Sequence, residues 1–271
     1  MDAKEIRRRL ETLGVRAKRS RGQNFLIDDK IAARAVEHAH VDDEDTVLEI
    51  GPGLGMLTEH LARRAKHVIA IETEKRFIGL VRSDNVEYIH GDALEVPLPP
   101  FNKVVSNLPY SISTPVTFRI LAPGVEFELA VLMYQLEFAQ RLAADPGSKD
   151  YSRLSVSAYV RADVERLDKV PSRSFYPQPK VDSCLVRLKP RPSPFQTLDW
   201  DIFHRVVKVA FQQRRKKLHN SIKNGLKELD LPFKSLGTPD LEGLPYKDQR
   251  PEELRPEQFG EITDYLCGHK E

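Results

Sequence analysis

The feature that most constrains this chain is the rhythm of residues 45–135. The runs DTVLEIG, HVIAIE, VEYIHGD and NKVVSN are rich in aliphatic and β-branched residues. Stretches of helical spacing such as MLTEHLARRA lie between them, and a further run, FELAVLMY, passes straight into QLEFAQRLAA. Apolar strands separated by helices predict a parallel sheet covered on both faces, because a parallel crossover places a helix against the sheet. In such a doubly wound α/β sheet, ligands lie at the carboxyl ends of the strands. The residues that end each strand are therefore the ones that carry chemistry. The charged stretch TEKRFIGLVR, after the second run, is read as a short helix.

After SKDYSR the pattern changes. LSVSAYVRADVERLDKV reads as a helix or a strand and DSCLVRLKP as a strand. The proline cluster KPRPSPFQ then breaks the chain, since successive prolines neither extend a helix nor pair in a sheet. DWDIFHRVVKVAFQQ, RKKLHNSIKNGLKEL and PEQFGEITDYLCG follow with helical spacing. The expected division is an α/β domain over 1–190 and a small all-α domain over 191–271.

Composition removes several classes. With 40% hydrophobic residues the chain can build a core, which argues against global disorder. No apolar run approaches the roughly 18 residues of a membrane span, and MDAKEIRRRLETLG has charges where a secretion signal needs an apolar stretch. Cys184 and Cys267 stand alone, without CxxC spacing, and the eight histidines show no ligand spacing, so neither a disulfide framework nor a metal is expected. The chain reads as soluble and cytoplasmic. Its net charge of +2 says little, but the charge is unevenly spread. The N-terminal segment carries Arg7, Arg8, Arg9, Arg16, Lys18, Arg19 and Arg21. Residues Ile202 to Lys227 contain no acid and include the run Arg214, Arg215, Lys216, Lys217. Any one such run is as readily a solvated helix face; two of them at opposite ends of a nearly neutral chain favour a polyanionic partner.

The first strand end is a glycine loop, LEIGPGLGMLTEH, with Gly51, Gly53 and Gly55 between strand and helix. Glycines there allow a tight turn and close approach of a ligand to the backbone. The dinucleotide fingerprint G-x-G-x-x-G fails, because Met56 occupies the last position. G-x-G-x-G preceded by Glu49 fits better the loop that methyltransferases set against S-adenosylmethionine. Glu72 ends the second strand about 20 residues on, where a carboxylate can accept both ribose hydroxyls. Asp92 ends the third, where it can accept from an adenine amino group. Each acid alone is more simply a loop cap, but the three strand ends in order point to a nucleoside ligand. A nicotinamide enzyme remains open on these features.

The fourth strand ends in VVSNLPYSIS. In isolation this is a strand stopping at a proline turn, with a tyrosine over the core. Beside a methyl donor, all four residues of Asn107, Leu108, Pro109 and Tyr110 acquire a use. An adenine 6-amino group is a poor nucleophile because its lone pair is delocalised into the ring. The Asn107 side-chain oxygen can accept one amino hydrogen, and the carbonyl of Leu108 or Pro109 the other. Together they stabilise the positive charge that develops on nitrogen. Pro109 stiffens the turn. Tyr110 offers a face on which an extruded base can stack, worth about 1–3 kcal/mol.

With these motifs in view, the sequence resembles the KsgA-type small-subunit ribosomal RNA adenine dimethyltransferases, including their archaeal and eukaryotic relatives. The resemblance runs nearly end to end: RGQNFLIDD (21–29), EIGPGLGMLT, AIETE, GDAL, NLPYSISTP, FYPQPKVDS (175–183) and FQQRRKKLHNSIK (211–223) follow in the family's order. It implies a Rossmann-like class I S-adenosylmethionine-dependent methyltransferase domain with a small C-terminal all-α domain. By position it implies S-adenosylmethionine at Gln23, Asn24, Leu26, Gly51, Gly53, Glu72, Asp92, Ala93 and Asn107. It makes Phe175, otherwise an ordinary core residue, a second aromatic wall facing Tyr110 across the base. It suggests RNA contacts at Arg19, Arg21, Arg214, Arg215, Lys216 and Lys217. The acid after Glu72 is Glu74, where Asp is expected in many relatives. The implied substrate is a pair of adjacent adenosines in the last hairpin loop of small-subunit rRNA, within an immature 30S-type particle, modified by a monomeric enzyme.

Two other readings stand beside this one. Resistance methyltransferases of large-subunit rRNA share the glycine loop and NxPY, although NLPYSISTP and RRKKLHNSIK look more like the small-subunit group. A mainly non-catalytic binder in transcription or ribosome assembly is the other, and the intact Asn107, Tyr110 and Phe175 speak against lost chemistry.

Overall fold

The computed structural model describes residues 2–17, 22–231 and 240–268. In chain order they form α1 (Ala3–Thr12), β1 (Phe25–Leu26), α2 (Asp29–His38), β2 (Thr46–Ile50), α3 (Met56–Ala62), β3 (His67–Glu72), β4 (Val86–His90), β5 (Lys103–Asn107), α4 (Ser113–Ile120), β6 (Leu129–Gln135) and α5 (Leu136–Leu142). Then come α6 (Arg153–Arg161), β7 (Ala162–Val170), β8 (Phe175–Tyr176), β9 (Ser183–Pro190), α7 (Trp200–Gln212), α8 (Leu218–Leu229) and α9 (Pro256–Cys267).

The chain divides into two compact units, Met1–Ala139 with Asp163–Pro190, and Gln140–Ala162 with Arg191–Glu271. Besides a division at 190, residues 140–162 cluster with the helical unit, because Tyr151, Val156 and Val160 bury in its core rather than in that of the sheet. A single cut in the sequence has no way to express that excursion. LSVSAYVRADVERLDKV is helix and strand in succession, α6 running directly into β7.

The first unit is built on a seven-stranded sheet of order β4-β3-β2-β5-β6-β9-β7. β4, β3, β2, β5 and β6 are parallel and β9 runs antiparallel to β6. The inner strands β2, β3, β5 and β6 are buried along nearly their whole length, as their continuous apolar runs require, whereas the edge strand β4 is largely part-exposed. From β2 the chain winds outward to β3 and β4, then returns to the other side for β5 and β6. The winding direction therefore reverses between β2 and β5, and their carboxyl ends flank the crevice where such folds bind ligands. A two-stranded ribbon pairs β1 with β8, matching Phe25 to Tyr176 and Leu26 to Phe175.

TEKRFIGLVR does not form the expected helix. Lys75–Phe77 make one 3₁₀ turn, capped by the Glu74 side chain on the Arg76 N–H. Phe77 is then buried beside Ile6, Leu10 and Phe25, and Gly79 takes φ +75°, which ends any helical path. Among the described residues no helix is long and apolar enough to cross a membrane.

The second unit packs α6, α7, α8 and α9 around Tyr151, Phe203 and Phe259. Gly225 on α8 lets α7 come close, since a Cβ there would lie 2.2 Å from a Val209 methyl. The Tyr151 hydroxyl donates to the Leu254 carbonyl at 2.9 Å, which satisfies a deeply buried phenol.

At the amino ends of β2 and β5, opposite the crevice, lies a buried ion pair. Lys103 Nζ is 2.6 Å from Asp45 Oδ2 and donates to the His40 carbonyl at 2.5 Å. The Asn102 amide donates to Asp45 Oδ1 at 2.7 Å, and the Asp42 N–H to Asp45 Oδ2 at 2.8 Å. Burial works against ionisation of Asp45, but Lys103, the Asp42 N–H and the Asn102 amide together hold its carboxyl below the ordinary range. Removing one member strands the other charge in the interior. Lys103→Ala should cost about 3 kcal/mol of stability, measured by denaturant unfolding. Because the Asp45 pKa is lowered on folding, its contribution is complete above the ordinary value of 3.8 and is lost as pH falls through the native value. An acid-unfolding profile that Lys103→Ala leaves unchanged would refute this role.

Candidate active site

The loop after β2 departs from ordinary backbone at three points: Gly51, Gly53 and Gly55 have φ of 72°, 57° and 88°. Gly51 and Gly53 face residues of the site, while Gly55 packs on Val81, where a Cβ would lie 2.3 Å from a methyl. A Cβ on Gly51 would lie 3.3 Å from Pro109 Cδ and Cγ, and one on Gly53 would lie 3.1 Å from the Phe25 ring. A third glycine, Gly22, sits against the turn after β5, where a Cβ would come within 2.8 Å of the Ser111 nitrogen and 2.9 Å of the Tyr110 nitrogen. The Asn107 amide donates through Nδ2 to the Asn24 carbonyl at 3.2 Å. Segments around residues 24, 51, 107 and 175 thus meet at the carboxyl ends of β2 and β5, joined by backbone contact and by the β1–β8 ribbon.

Glu72, at the end of β3, is buried next to the glycine loop. Its Oε2 accepts from Gly53 N at 3.1 Å, and its Oε1 from Glu74 N at 2.9 Å and Thr73 Oγ1 at 3.3 Å. Asp92 does cap its own loop, accepting from Leu94 N through Oδ1 at 2.9 Å, and its Oδ2 takes no hydrogen bond from a described residue. Ala93 beside it is buried, as is Leu26, while Gln23 and Asn24 are half-buried.

Glu49 is a feature that its sequence position alone does not explain. It lies in β2 at 1% exposure, and its Oε2 has no hydrogen-bond partner among the described residues. Burial pushes its carboxyl up to about 8, the Thr58 hydroxyl pulling the other way and the Glu72 charge adding to the rise. The glycine loop is thus flanked by two buried carboxyls, Glu72 held by N–H groups and Glu49 favoured in its neutral form.

After β5 the structure separates the two candidate backbone acceptors. The Pro109 carbonyl already accepts from Ile112 N at 3.0 Å, closing the turn. The Leu108 carbonyl takes no hydrogen bond from a described residue. With Nδ2 committed to Asn24, the free side-chain acceptor is Asn107 Oδ1. Tyr110 is half-buried and its hydroxyl lies 2.5 Å from Ser183 Oγ. Phe175 is 2% exposed and belongs to the core cluster of Leu26, Met133 and Leu185, so its ring has no free face here. Sequence reasoning missed Gly22, Phe25 and Ser183, whose roles depend on packing between distant segments. Ser183 carried one signal, as the last residue of FYPQPKVDS.

Residues 14–235 match the model of the family described as ribosomal RNA adenine dimethylase. The chain belongs to the ribosomal RNA adenine dimethylase family. It is 47% identical over 252 residues to a probable ribosomal RNA small subunit methyltransferase A of Methanosarcina acetivorans, covering 90% of this chain and 91% of that one. The fold is similar to that of a dimethyladenosine transferase from Plasmodium falciparum, with TM-score 0.76 and 33% identity over 88% of this chain and 95% of that chain. It is also similar to the 23S rRNA methyltransferase ErmE, with TM-score 0.67 and 29% identity over 90% and 99% of the respective chains. The family's methyl donor is S-adenosylmethionine, and the residues present fit it. The left-handed glycines leave the loop backbone open, and the partnerless Glu49 oxygen leaves beside that loop a buried polar group that no described residue meets. Among the described residues no group of His, Cys, Asp or Glu could hold a metal ion.

The basic run of the second unit is less free than its sequence suggests. Arg214 Nε pairs with Glu252 at 2.8 Å and its Nη1 donates to the Lys149 carbonyl at 2.9 Å. Lys217 pairs with Asp248 at 2.7 Å. Arg215 and Lys216 are exposed and form no ion pair with a described residue. The acids missing between Ile202 and Lys227 are supplied by later parts of the chain. Arg19 and Arg21 lie outside the described residues.

The Glu49 environment generates a pH signature. Its carboxyl is raised above the ordinary 4.5 to about 8, so burying the neutral acid favours the fold fully below the ordinary value, and that advantage is lost as pH rises through about 8. In cofactor-free protein, Glu49→Gln should flatten the decline of the thermal midpoint between about pH 5 and 9 and raise it at the alkaline end. Parallel profiles for the two proteins would mean that Glu49 is already ionised at neutral pH.

Proposed function

We propose that this chain dimethylates the 6-amino groups of two adjacent adenosines in the 3′-terminal hairpin loop of small-subunit rRNA. On this reading it acts as a cytoplasmic monomer on an immature 30S-type particle. The observation that carries the reading is the end of β5, where Asn107 Oδ1 and the Leu108 carbonyl are left as hydrogen-bond acceptors beside the glycine loop. Bound S-adenosylmethionine supplies an electrophilic methyl group. The chain supplies orientation and charge stabilisation. Asn107 Oδ1 and the Leu108 carbonyl accept the two amine hydrogens, drawing the nitrogen out of conjugation and stabilising the positive charge that develops on it. No strong base is required, because the resulting ammonium is acidic enough to lose a proton to water.

Pro109 packs on Gly51, which ties the acceptors to the glycine loop. Tyr110 carries the stacking of the base. Phe175 becomes the second wall once entry of the base uncovers its ring, which is packed in the core here. Glu72 and Asp92 are placed to hold the ribose and adenine of the cofactor, and Gln23, Asn24, Leu26 and Ala93 to line its site. Arg215 and Lys216, the two unpaired cations of the run, are the phosphate contacts this reading favours.

Labelled cofactor and immature small-subunit particles, with the modified base identified by mass spectrometry, should yield dimethyladenosine at adjacent positions. Methyl transfer to large-subunit RNA instead would overturn the substrate. Asn107→Ala should lower kcat by about 100-fold or more, with particle binding retained; unimpaired turnover would remove the mechanism. Arg215→Ala with Lys216→Ala should weaken RNA binding and reduce the slope of log K against log salt by up to about 2. Arg214→Ala should instead show mainly as lost stability. An unchanged slope in the double variant would assign these two side chains to a solvated surface.

A further inference from the structure

One buried hydroxyl at the site has no part in the chemistry described so far. Ser183 opens β9 at 0% exposure, and its Oγ lies 2.5 Å from the phenol oxygen of Tyr110. The sheet fixes both ends of this contact. Ser183 pairs with Gln135 at the carboxyl end of β6, and Asn107, three residues before Tyr110, pairs with Met133 on the other side of that strand. Tyr110 begins a 3₁₀ turn whose backbone packs on Gly22. Burial also pushes the Tyr110 phenol pKa up, which keeps its hydroxyl protonated and able to donate.

We propose that Ser183 is a positioning residue that anchors the Tyr110 ring, and that this anchor matters most in the second methyl transfer to the same amine. The inference rests on the reading of Tyr110 as the surface on which the base stacks. In each round the amine lone pair forms a bond to the methyl carbon, the carbon–sulfur bond breaks toward sulfur, and one N–H proton leaves to water. In the first round the amine has two hydrogens, and Asn107 Oδ1 and the Leu108 carbonyl orient it through both. In the second, one hydrogen has been replaced by a methyl group, so one acceptor has nothing to hold. Orientation then depends more on the plane of the stacked ring. A tyrosine tied to backbone at one end and to Ser183 at the other cannot swing, and the base plane stays fixed. Loosening the anchor therefore impairs the second transfer more than the first.

The test uses the full chain, small-subunit particles and labelled cofactor, with mono- and dimethyladenosine resolved by mass spectrometry. Ser183→Ala and Tyr110→Phe each delete one partner of the bond. Each should slow the second transfer by about 3- to 10-fold, the range of one ordinary hydrogen bond, and slow the first less, so that monomethyladenosine accumulates. The loss should fall on kcat with KM for the particle unchanged, and the double variant should be no worse than either single one. Equal slowing of both transfers, or losses that multiply in the double variant, would overturn the anchor. If Ser183→Ala fails to fold, Tyr110→Phe decides alone. Tyr110→Leu separates this from the underlying reading. If it leaves both transfers intact, the stacking role itself is lost. If it blocks transfer while Tyr110→Phe keeps the wild-type product ratio, only the anchor fails.

Discussion

The site depends on close packing against glycines at the point where the sheet reverses its winding. Pro109 rests on Gly51, the nitrogens of Tyr110 and Ser111 face Gly22, and Phe25 covers Gly53. A Cβ at Gly22 would clash and one at Gly51 or Gly53 would be crowded, and each of these glycines also holds a left-handed φ. An L-residue at Gly51 would meet both a strained conformation and a ring 3.3 Å away. The acceptors on β5 are placed by this contact, since Asn107 itself bonds directly to the Asn24 carbonyl. A shift of the glycine loop would thus be felt at the reacting amine without any change in the residues that touch it.

The two ends of the sheet handle buried charge in opposite ways. At the amino ends, Asp45 is buried with Lys103, the Asn102 amide and an N–H, every interaction satisfying it. At the carboxyl ends, Glu72 is satisfied by backbone N–H groups, but Glu49 is left with an oxygen that no described residue meets. The first arrangement stabilises the fold. The second leaves a buried polar group unmet beside the glycine loop, which is how a functional site differs from a structural ion pair.

The strand ends were legible in the sequence because they follow from one repeated physical pattern. Continuous apolar runs signalled buried parallel strands, and the residue types just beyond them could be weighed against cofactor chemistry. What sequence could not express was convergence. Gly22 and Ser183 are ordinary until the NLPY turn lies against them. The charged stretch 73–82 reads as a short helix, but Phe77 docks into the core around α1 and Gly79 turns the backbone away. The Leu108 and Pro109 carbonyls were equivalent until the turn geometry committed one of them to Ile112. The acid-free run from Ile202 to Lys227 likewise lost half of its cationic cluster to Glu252 and Asp248, which the chain supplies some 30 residues later.

That partial neutralisation bears on how RNA would be held. Arg214 spends its guanidinium on Glu252 and the Lys149 carbonyl, which ties the turn between α7 and α8 to the rest of the helical unit. The pairing lowers the local positive potential but fixes the backbone from which Arg215 and Lys216 project. If the proposed phosphate contacts are made there, two exposed cations on a braced turn would give a weaker but better oriented contact than four mobile ones, since less side-chain and loop freedom would be lost on binding. Affinity from phosphate contacts is independent of sequence, so a large basic surface would hold any RNA as well as the correct one. On the proposed reading discrimination falls to the site at β2 and β5, where the amine of the base would meet Asn107 Oδ1 and the Leu108 carbonyl with its ring on Tyr110.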